Sequence, residues 1–151
     1  MKSVCCIPIN EHLGLSYDDA DSCLIMPHTR KVSNYWGDVS FCAQFTLAES
    51  ASAQFLIDAL GMDPDCDLPT LRKAEIKFFK PTRGESRSHI VDSTCSRDQF
   101  QQALSERGKV SLTVVAEVRS EVGEKSVSSS FSWLVLRNRQ KTEQATDDNP
   151  Q

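Results

Sequence analysis

The chain of 151 residues is 39% hydrophobic and 25% charged, and its net charge of -4 comes from acidic and basic residues scattered together. This size and composition predict one soluble domain, and the lack of a basic stripe argues against a nucleic-acid partner. No apolar run approaches the roughly 20 residues of a membrane span, since residues 39–57 are interrupted by Gln44, Glu49 and Gln54. The N-terminus lacks the apolar region of a signal peptide, so we expect a cytoplasmic protein without membrane association.

The cysteines and histidines do not predict a metal site. The six cysteines include no C-x-x-C pair, and the three histidines are isolated in the sequence. A domain of this size does not need disulfides, so reduced thiols are expected. Cys42 lies inside the apolar run with no histidine near it in sequence, and we expect a small buried hydrophobic residue rather than a nucleophile.

The first half of the chain predicts a short helix, a strand and one long helix. Residues 7–15, IPINEHLGL, indicate a short helix or turn, and residues 23–34 indicate a first strand. The long helix is expected to be capped by Asp38 or Ser40 and to end at Gly61. Apolar residues cover nearly all its sides, which predicts that this helix is buried.

The second half is dominated by apolar residues at every second position, the pattern of half-buried strands. It predicts four strands at residues 73–78, 85–95, 110–118 and 126–137, with a short helix at 96–108. The domain is predicted to span residues 1–137, and the polar residues 138–151 are expected to form a flexible tail. About five antiparallel strands and one buried helix give an α+β fold. The helix then needs a second cover, either a larger wrapping sheet or another subunit.

Three segments carry a family resemblance: IPINEHLGL, NYWGDVSFCAQFTLAESAS and EIKFFKPTRG. Together with the order of elements, they make residues 7–136 similar to the hotdog-fold thioesterases, specifically those akin to phenylacetyl-CoA thioesterases and their uncharacterised relatives. The resemblance implies a long central helix wrapped by a five- to six-stranded antiparallel sheet. Its most specific piece is FTLAESAS, in which Glu49 takes the place of the family's acidic residue. Asn34 matches an asparagine that precedes the helix in such relatives.

The chain departs from the family at the start of the helix. Counting back from Glu49, the family's histidine would fall at Ser40, and its two glycines at Phe41 and Cys42. The backbone amides of a helix start need no particular side chain to act as donors, so we assign the amides around Asp38 to Phe41 as unpaired oxyanion donors. Glu49 is assigned as general base or nucleophile, Asn34 as the residue that positions water or carbonyl, and Ser40 as part of the donor group.

The distance between Ser40 and Glu49 along the helix predicts a homodimer. Nine residues separate Ser40 from Glu49, roughly 13 to 14 Å along a helix, whereas one reacting carbonyl must lie within about 3 Å of both base and donors. Two copies with antiparallel helices would bring Glu49 of one copy to the helix start of the other. Hotdog relatives are similarly dimeric with a site at the interface, and a tetramer of two dimers stays open. In the competing interpretation, a buried Glu49 only fixes the dimer register and Asn34 is a turn residue.

The resemblance also assigns residues to coenzyme A, which enters as part of the substrate; no separate cofactor is implied. Gly37, Phe41, Lys80 and Arg83 are the predicted contacts, and Arg87 lies near the same FKPTRG turn. A solvated strand end explains these basic residues equally well. Phe131 and Trp133 are interpreted as core packing rather than as the lining of an acyl tunnel.

The predicted function is an acyl-CoA thioesterase with a site at a dimer interface. The alternative is a non-catalytic hotdog protein that binds acyl-CoA or an acyl-carrier protein. A dehydratase of the same fold is a third hypothesis, but it would want a histidine facing the acid.

Overall fold

The computed structural model describes residues 3–138, which form one antiparallel sheet around a long helix. The helices are α1 (Pro8–Leu13), α2 (Phe41–Asp58) and α3 (Arg97–Arg107), and short 3-10 turns lie at Val4–Cys6 and Arg30–Val32. The strands are β1 (Ser16–Asp18), β2 (Cys23–Met26), β3 (Asp67–Phe78), β4 (Ser86–Ser93), β5 (Lys109–Ser120) and β6 (Lys125–Arg137). This confirms the predicted α+β class.

Helix α2 forms where the sequence predicts it because both of its ends carry stop signals. Ser40 is the N-cap, and its hydroxyl accepts a hydrogen bond from the Ala43 amide at 3.2 Å. At the other end the chain turns at Gly61, whose φ of 74° lies in the left-handed region that favours glycine. Leu47 and Leu56 are fully buried between these ends. The helix is therefore the centre of the core.

The sheet has the strand order β1-β2-β4-β5-β6-β3, and every neighbouring pair is antiparallel. Helix α2 contacts β2, β4, β5, β6 and β3, so the sheet curves around it. The long β5–β6 pairing was predicted from two alternating segments. Strand β1 was not assigned from sequence, because three residues with one aromatic side chain give too short an alternation to identify.

Several boundaries differ from the sequence-based ones. Strand β2 ends at Met26, before Pro27, instead of continuing towards residue 34. Strand β3 begins at Asp67 and tolerates Pro69 because it is an edge strand, where a missing backbone donor leaves no ladder bond unmade. Helix α3 begins at the predicted cap Ser96 and ends at the predicted Gly108. The predicted tail, residues 138–151, lies outside the described residues apart from Asn138. No helix among residues 3–138 is long and apolar enough to cross a bilayer.

The two edges of the sheet differ fourfold in length. Edge strand β1 has 3 residues, whereas edge strand β3 has 12. Along β3 only one side of the backbone is paired, to β6, within the described part of the chain. A long open edge of this kind is a template for pairing with another strand.

Candidate functional site

Glu49 lies on the one stripe of α2 that the described residues leave open. Cys42 is exposed, and Thr46, Glu49 and Ala53 are half-buried, at the three- and four-residue spacing of one helix face. Most residues on the other faces, including Leu47, are buried, whereas Phe45 and Phe55 are half-buried and Phe41 is exposed. The prediction that α2 is buried on nearly all sides is therefore wrong for this stripe, since a single chain supplies no second cover for it.

Burial in its apolar surroundings raises the pKa of the Glu49 carboxyl, because a charge withdrawn from water loses hydration. The opposing influence is the Ser50 hydroxyl, which donates to Glu49 Oε2 at 3.4 Å and lowers the pKa. That distance is at the outer limit of a hydrogen bond, so the opposition is weak. No cation pairs with Glu49 among residues 3–138. A carboxylate in this state is a stronger base than one in water.

The N-terminal segment supports the residue next to Glu49. Asn10 is 1% exposed, and its Nδ2 amide donates to the Val4 carbonyl at 2.9 Å and to Ser50 Oγ at 2.9 Å. Gln54, one turn further along α2, accepts from the Val4 amide at 2.9 Å. These bonds pin α1 and its preceding turn to α2, and they fix the hydroxyl that contacts Glu49. This role of Asn10 and Ser50 was not predicted from the sequence, where the segment IPINEHLGL is its only signal.

Ser40 caps α2 instead of offering a free hydroxyl or amide. Its Oγ accepts from Ala43, and its backbone amide donates to the Val32 carbonyl at 2.7 Å. The amide of Val39 donates to the Thr82 carbonyl at 2.9 Å, and that of Asp38 donates to Asn34 Oδ1 at 3.0 Å. The prediction of unpaired amides from Asp38 to Ser40 is therefore wrong.

The free amides lie one residue further along, in the first turn of α2. Within the described residues, the backbone amides of Phe41 and Cys42 make no hydrogen bond. The predicted range included Phe41; counting the first turn from Ser40 as the N-cap would also have found Cys42, since the first helical amides have no carbonyl partner inside the helix. Two adjacent donors at the positive end of the helix dipole suit a developing oxyanion.

Asn34 organises the loop that leads into α2. Its Oδ1 accepts from the amides of Trp36 and Asp38, both at 3.0 Å, which makes it an Asx-type turn residue as the competing interpretation expects. Its Nδ2 amide has no hydrogen-bond partner in the part of the chain that the structure describes. The same side chain can therefore hold the loop with its oxygen and donate to a bound carbonyl with its nitrogen.

Arg83 ties the 79–84 turn to this loop. Its Nε donates to Asp38 Oδ1 at 2.7 Å and its Nη2 to the Trp36 carbonyl at 2.8 Å. Gly37 lies in the same loop with a φ of 79°. Lys80 pairs with Glu124 at 2.6 Å. Arg83 and Gly37 thus lie next to the helix start, and Lys80 lies on the neighbouring turn; their contact with coenzyme A stays a prediction.

Three further side chains were assigned from sequence. Arg87 points away from this loop, because it bonds Asp18, Asp21 and Glu85. Phe41 is 53% exposed and its ring lies 4.6 Å from that of Phe78. Cys42 is exposed, so the prediction of a buried residue is wrong: it lies on the uncovered stripe.

Phe131 and Trp133 belong to the core, as interpreted from sequence. Phe131 is fully buried, with its ring 5.7 Å from that of Phe45. Trp133 is 5% exposed and its indole donates to Ser52 Oγ at 3.1 Å. Both residues pack β6 against α2, which holds the helix at a fixed height over the sheet.

The sequence matches no known protein-family profile and no curated protein. Solved structures do match. A Pseudomonas aeruginosa protein named as a probable thioesterase of unknown function has 21% identity and a TM-score of 0.72, covering 87% of this chain and 88% of its own. A thioesterase from Haemophilus influenzae has 15% identity and a TM-score of 0.64, covering 90% and 87%. A Bacillus halodurans protein solved with CoA has 16% identity and a TM-score of 0.63, covering 82% and 72%. The similarity confirms the predicted hotdog fold.

Proposed function

We propose that this protein hydrolyses acyl-CoA thioesters, with Glu49 as the base or nucleophile. The observation that carries the proposal is the state of Glu49: it is half-buried in apolar surroundings, its pKa is raised, and no described cation pairs with it. A residue that only stabilised the fold would be expected to have its charge compensated. The names of the structural relatives, one probable thioesterase, one thioesterase and one protein solved with CoA, agree with this chemistry.

The oxyanion donors in this proposal are the Phe41 and Cys42 amides, and Asn34 Nδ2 donates to the same carbonyl. Glu49 follows Phe41 by eight residues, which is about 12 Å along a helix. One reacting carbonyl cannot reach both within a chain. The active unit is therefore a homodimer in which the base of one copy faces the helix start of the other.

Two surfaces support that dimer. The 12-residue edge β3 can pair with its symmetry mate and continue the sheet, and the open stripe of α2 then meets the same stripe of the second copy. Small residues at Ala53 and Cys42 permit a close approach of two helices. Burial of the stripe would withdraw Glu49 further from water and raise its pKa further.

The first test is turnover. A panel of short, long and aromatic acyl-CoA esters is assayed by free-thiol release, with Glu49→Gln as the variant and Glu106→Gln, an exposed glutamate of α3, as the matched control. We expect Glu49→Gln to lose about 10²- to 10⁴-fold in kcat, the usual contribution of a general base, and the control to keep its activity. Binding of acyl-CoA without turnover in the unaltered protein would instead establish the non-catalytic alternative.

A mixing experiment tests the composite site. Asn34→Asp keeps the oxygen that holds the loop and removes the Nδ2 donor, so it should fold and lose activity. Mixed dimers of Asn34→Asp with Glu49→Gln contain one site with both native residues. A statistical mixture should then recover about a quarter of the original sites. No recovery in mixed dimers verified by mass spectrometry would show that both residues act from the same chain.

A further inference from the structure

A cavity of about 450 Å³ lies on the opposite side of α2 from Glu49. It is a half-open cleft between the C-terminal half of α2 and strands β1, β2 and β4. Ala51 and Phe55 contribute the helix side of its wall, and at 100° per residue they lie about 200° and 240° around the helix from Glu49. Leu24 and Ile90 complete the apolar wall from the sheet. A cavity of this size lies in the range of small-molecule sites.

The mouth of the cavity carries an uncompensated negative charge. Asp58 is exposed, and it is the last residue of α2, where the helix dipole disfavours an anion. Its carboxylate accepts from Gln54 Nε2 at 2.9 Å, and Tyr17 lines the same cavity. Within residues 3–138 no Lys, Arg or His forms an ion pair with it. Asp21 lines the same mouth and bonds Arg87 at 3.1 Å, but Arg87 also pairs with Asp18 and Glu85. The mouth therefore keeps a net negative charge, and Asp58 is the acid there that has no cation among the described residues.

The wall also carries a hydrogen-bonding group without a partner. Ser88 lines the cavity and is 1% exposed, and its Oγ has no partner among the described residues. Its register partner on β2 is Leu24, which lines the same cavity. A buried hydroxyl without a partner costs free energy that a hydrogen bond from a bound molecule would offset.

We propose that this cavity is a second ligand site, which takes a small organic amine. The ammonium group pairs with Asp58 at the mouth, and the apolar body packs between Phe55 and Leu24. A hydroxyl or carbonyl group on that body would satisfy Ser88. Carboxylates and phosphates are excluded by the acidic mouth, so coenzyme A and free fatty acids do not compete for the cavity. The site is separate from Glu49 and does not depend on the thioesterase proposal.

The test compares three probes that share a cyclohexyl ring and differ in charge: cyclohexylmethylammonium, cyclohexylmethanol and cyclohexanecarboxylate. Each is titrated into the uniformly ¹⁵N-labelled full chain at neutral pH. We expect saturable shifts of the Ala51, Phe55 and Ser88 amides with the ammonium probe, roughly tenfold weaker binding of the alcohol, and no saturable shift there with the carboxylate. Equal affinity for the ammonium probe and the alcohol, or no saturable shift with any probe, would overturn the proposal.

Two variants locate the charge and the cavity. Asp58→Asn keeps an acceptor for Gln54 and removes an anion that the helix dipole disfavours, so it should fold; it should abolish the preference for the ammonium probe. Asp92→Asn alters an exposed carboxylate of β4 outside the cavity, and the preference should persist. Ala51→Leu fills the cavity and should abolish binding of ammonium and alcohol alike. Unchanged ammonium affinity in Asp58→Asn or in Ala51→Leu would place the bound probe elsewhere and refute the site.

Discussion

Two partly buried glutamates, Glu49 in the middle of α2 and Glu117 on β5, have opposite surroundings. At Glu117 burial would raise the pKa of the carboxyl, but hydrogen bonds and charges from Lys125 and Arg119 outweigh it and lower the pKa. Those cations lie 3.1 and 2.8 Å away. Glu49 is the more deeply buried of the two acids, only one weak hydrogen bond opposes that burial, and the pKa is raised. The fold thus compensates an acid on its sheet and leaves the acid on its helix uncompensated.

Asp67, at the start of β3, is a third acid that extends the contrast. Its side chain is fully buried, and Arg137 on the neighbouring strand β6 donates to both of its oxygens, at 2.9 and 3.3 Å. These hydrogen bonds raise the pKa of Arg137. The comparison teaches that a structural acid in this protein comes with its cation, which is why Glu49 is the candidate for chemistry.

The largest effect on stability is expected at Asp67. Asp67→Asn leaves Arg137 without its anion, and removal of one partner from a buried pair costs about 3–5 kcal/mol. Because the Arg137 side chain is 24% exposed, we expect a loss of about 2–4 kcal/mol in the free energy of unfolding. Urea denaturation measures it. A loss below about 1 kcal/mol would show that the pair is not a structural requirement, and the contrast with Glu49 would weaken.

The pH dependence of Glu49 gives the next effect. Because its folded pKa lies above the ordinary value of 4.5, the folded protein holds this proton more tightly than the unfolded chain does. Stability from this group is therefore lost as pH rises from that value through the folded pKa. We expect Glu49→Gln to be more stable than the unaltered protein at neutral pH and equally stable well below that value. Thermal unfolding of both proteins at several pH values measures this difference. A variant less stable than the unaltered protein at neutral pH would mean that Glu49 has a stabilising partner.

The same pKa governs the rate if Glu49 is the base. The acidic limb of kcat/KM should then lie at a higher pH than an ordinary glutamate would give. Its midpoint comes from thioester hydrolysis measured between acidic and neutral pH. A limb at or below the ordinary value would mean that another group controls the reaction.

A smaller effect is expected from Ser50→Ala. The variant removes the hydroxyl that opposes the raised pKa of Glu49, so the acidic limb of kcat/KM should move to still higher pH. It also removes the hydrogen bond from Asn10, which should lower the free energy of unfolding by about 1 kcal/mol. Ser52→Ala is the matched control: its buried hydroxyl bonds Trp133 and the Glu49 carbonyl rather than the carboxylate. Equal displacement of the limb in both variants would contradict a specific role for Ser50.

The smallest effect is expected at Glu117. Its partners are partly exposed, so Glu117→Gln should cost at most about 1 kcal/mol at neutral pH. Because the folded pKa of Glu117 is lowered, its stabilisation is present above the ordinary value and disappears as pH falls through the folded pKa. The free energy of unfolding, measured above the ordinary pKa and below the folded pKa, should show that the Glu117 contribution grows with pH, whereas that of Glu49 falls.

The sequence was a good guide where the signal is local. Ser40, Ser96 and Gly108 mark helix ends through chemistry that involves only a few neighbouring residues, and the structure confirms all three. The alternation of β5 and β6 likewise predicted their pairing. Cys42 was assigned as buried because composition around it is apolar, but which face of α2 remains open depends on the positions of distant strands.

The sites were harder to predict because they join distant segments. The hydrogen bond from Asn10 to Ser50 joins residues 40 positions apart in the sequence. The second cavity combines residues from β1, β2, α2 and β4. No spacing rule within one segment reveals such a set. The free amides of Phe41 and Cys42 are an intermediate case, since the capping geometry that identifies them is local once Ser40 is known to be the cap.

The two tryptophans occupy opposite environments, so intrinsic fluorescence can report separately on two regions of the protein. Trp36 is 76% exposed in the loop held by Asn34 and Arg83, whereas Trp133 is 5% exposed beneath α2. Iodide should quench the fluorescence of the first and spare the second. Trp36→Phe would leave a single emitter that follows melting of the interior, and Trp133→Phe one that follows the loop at the helix entrance.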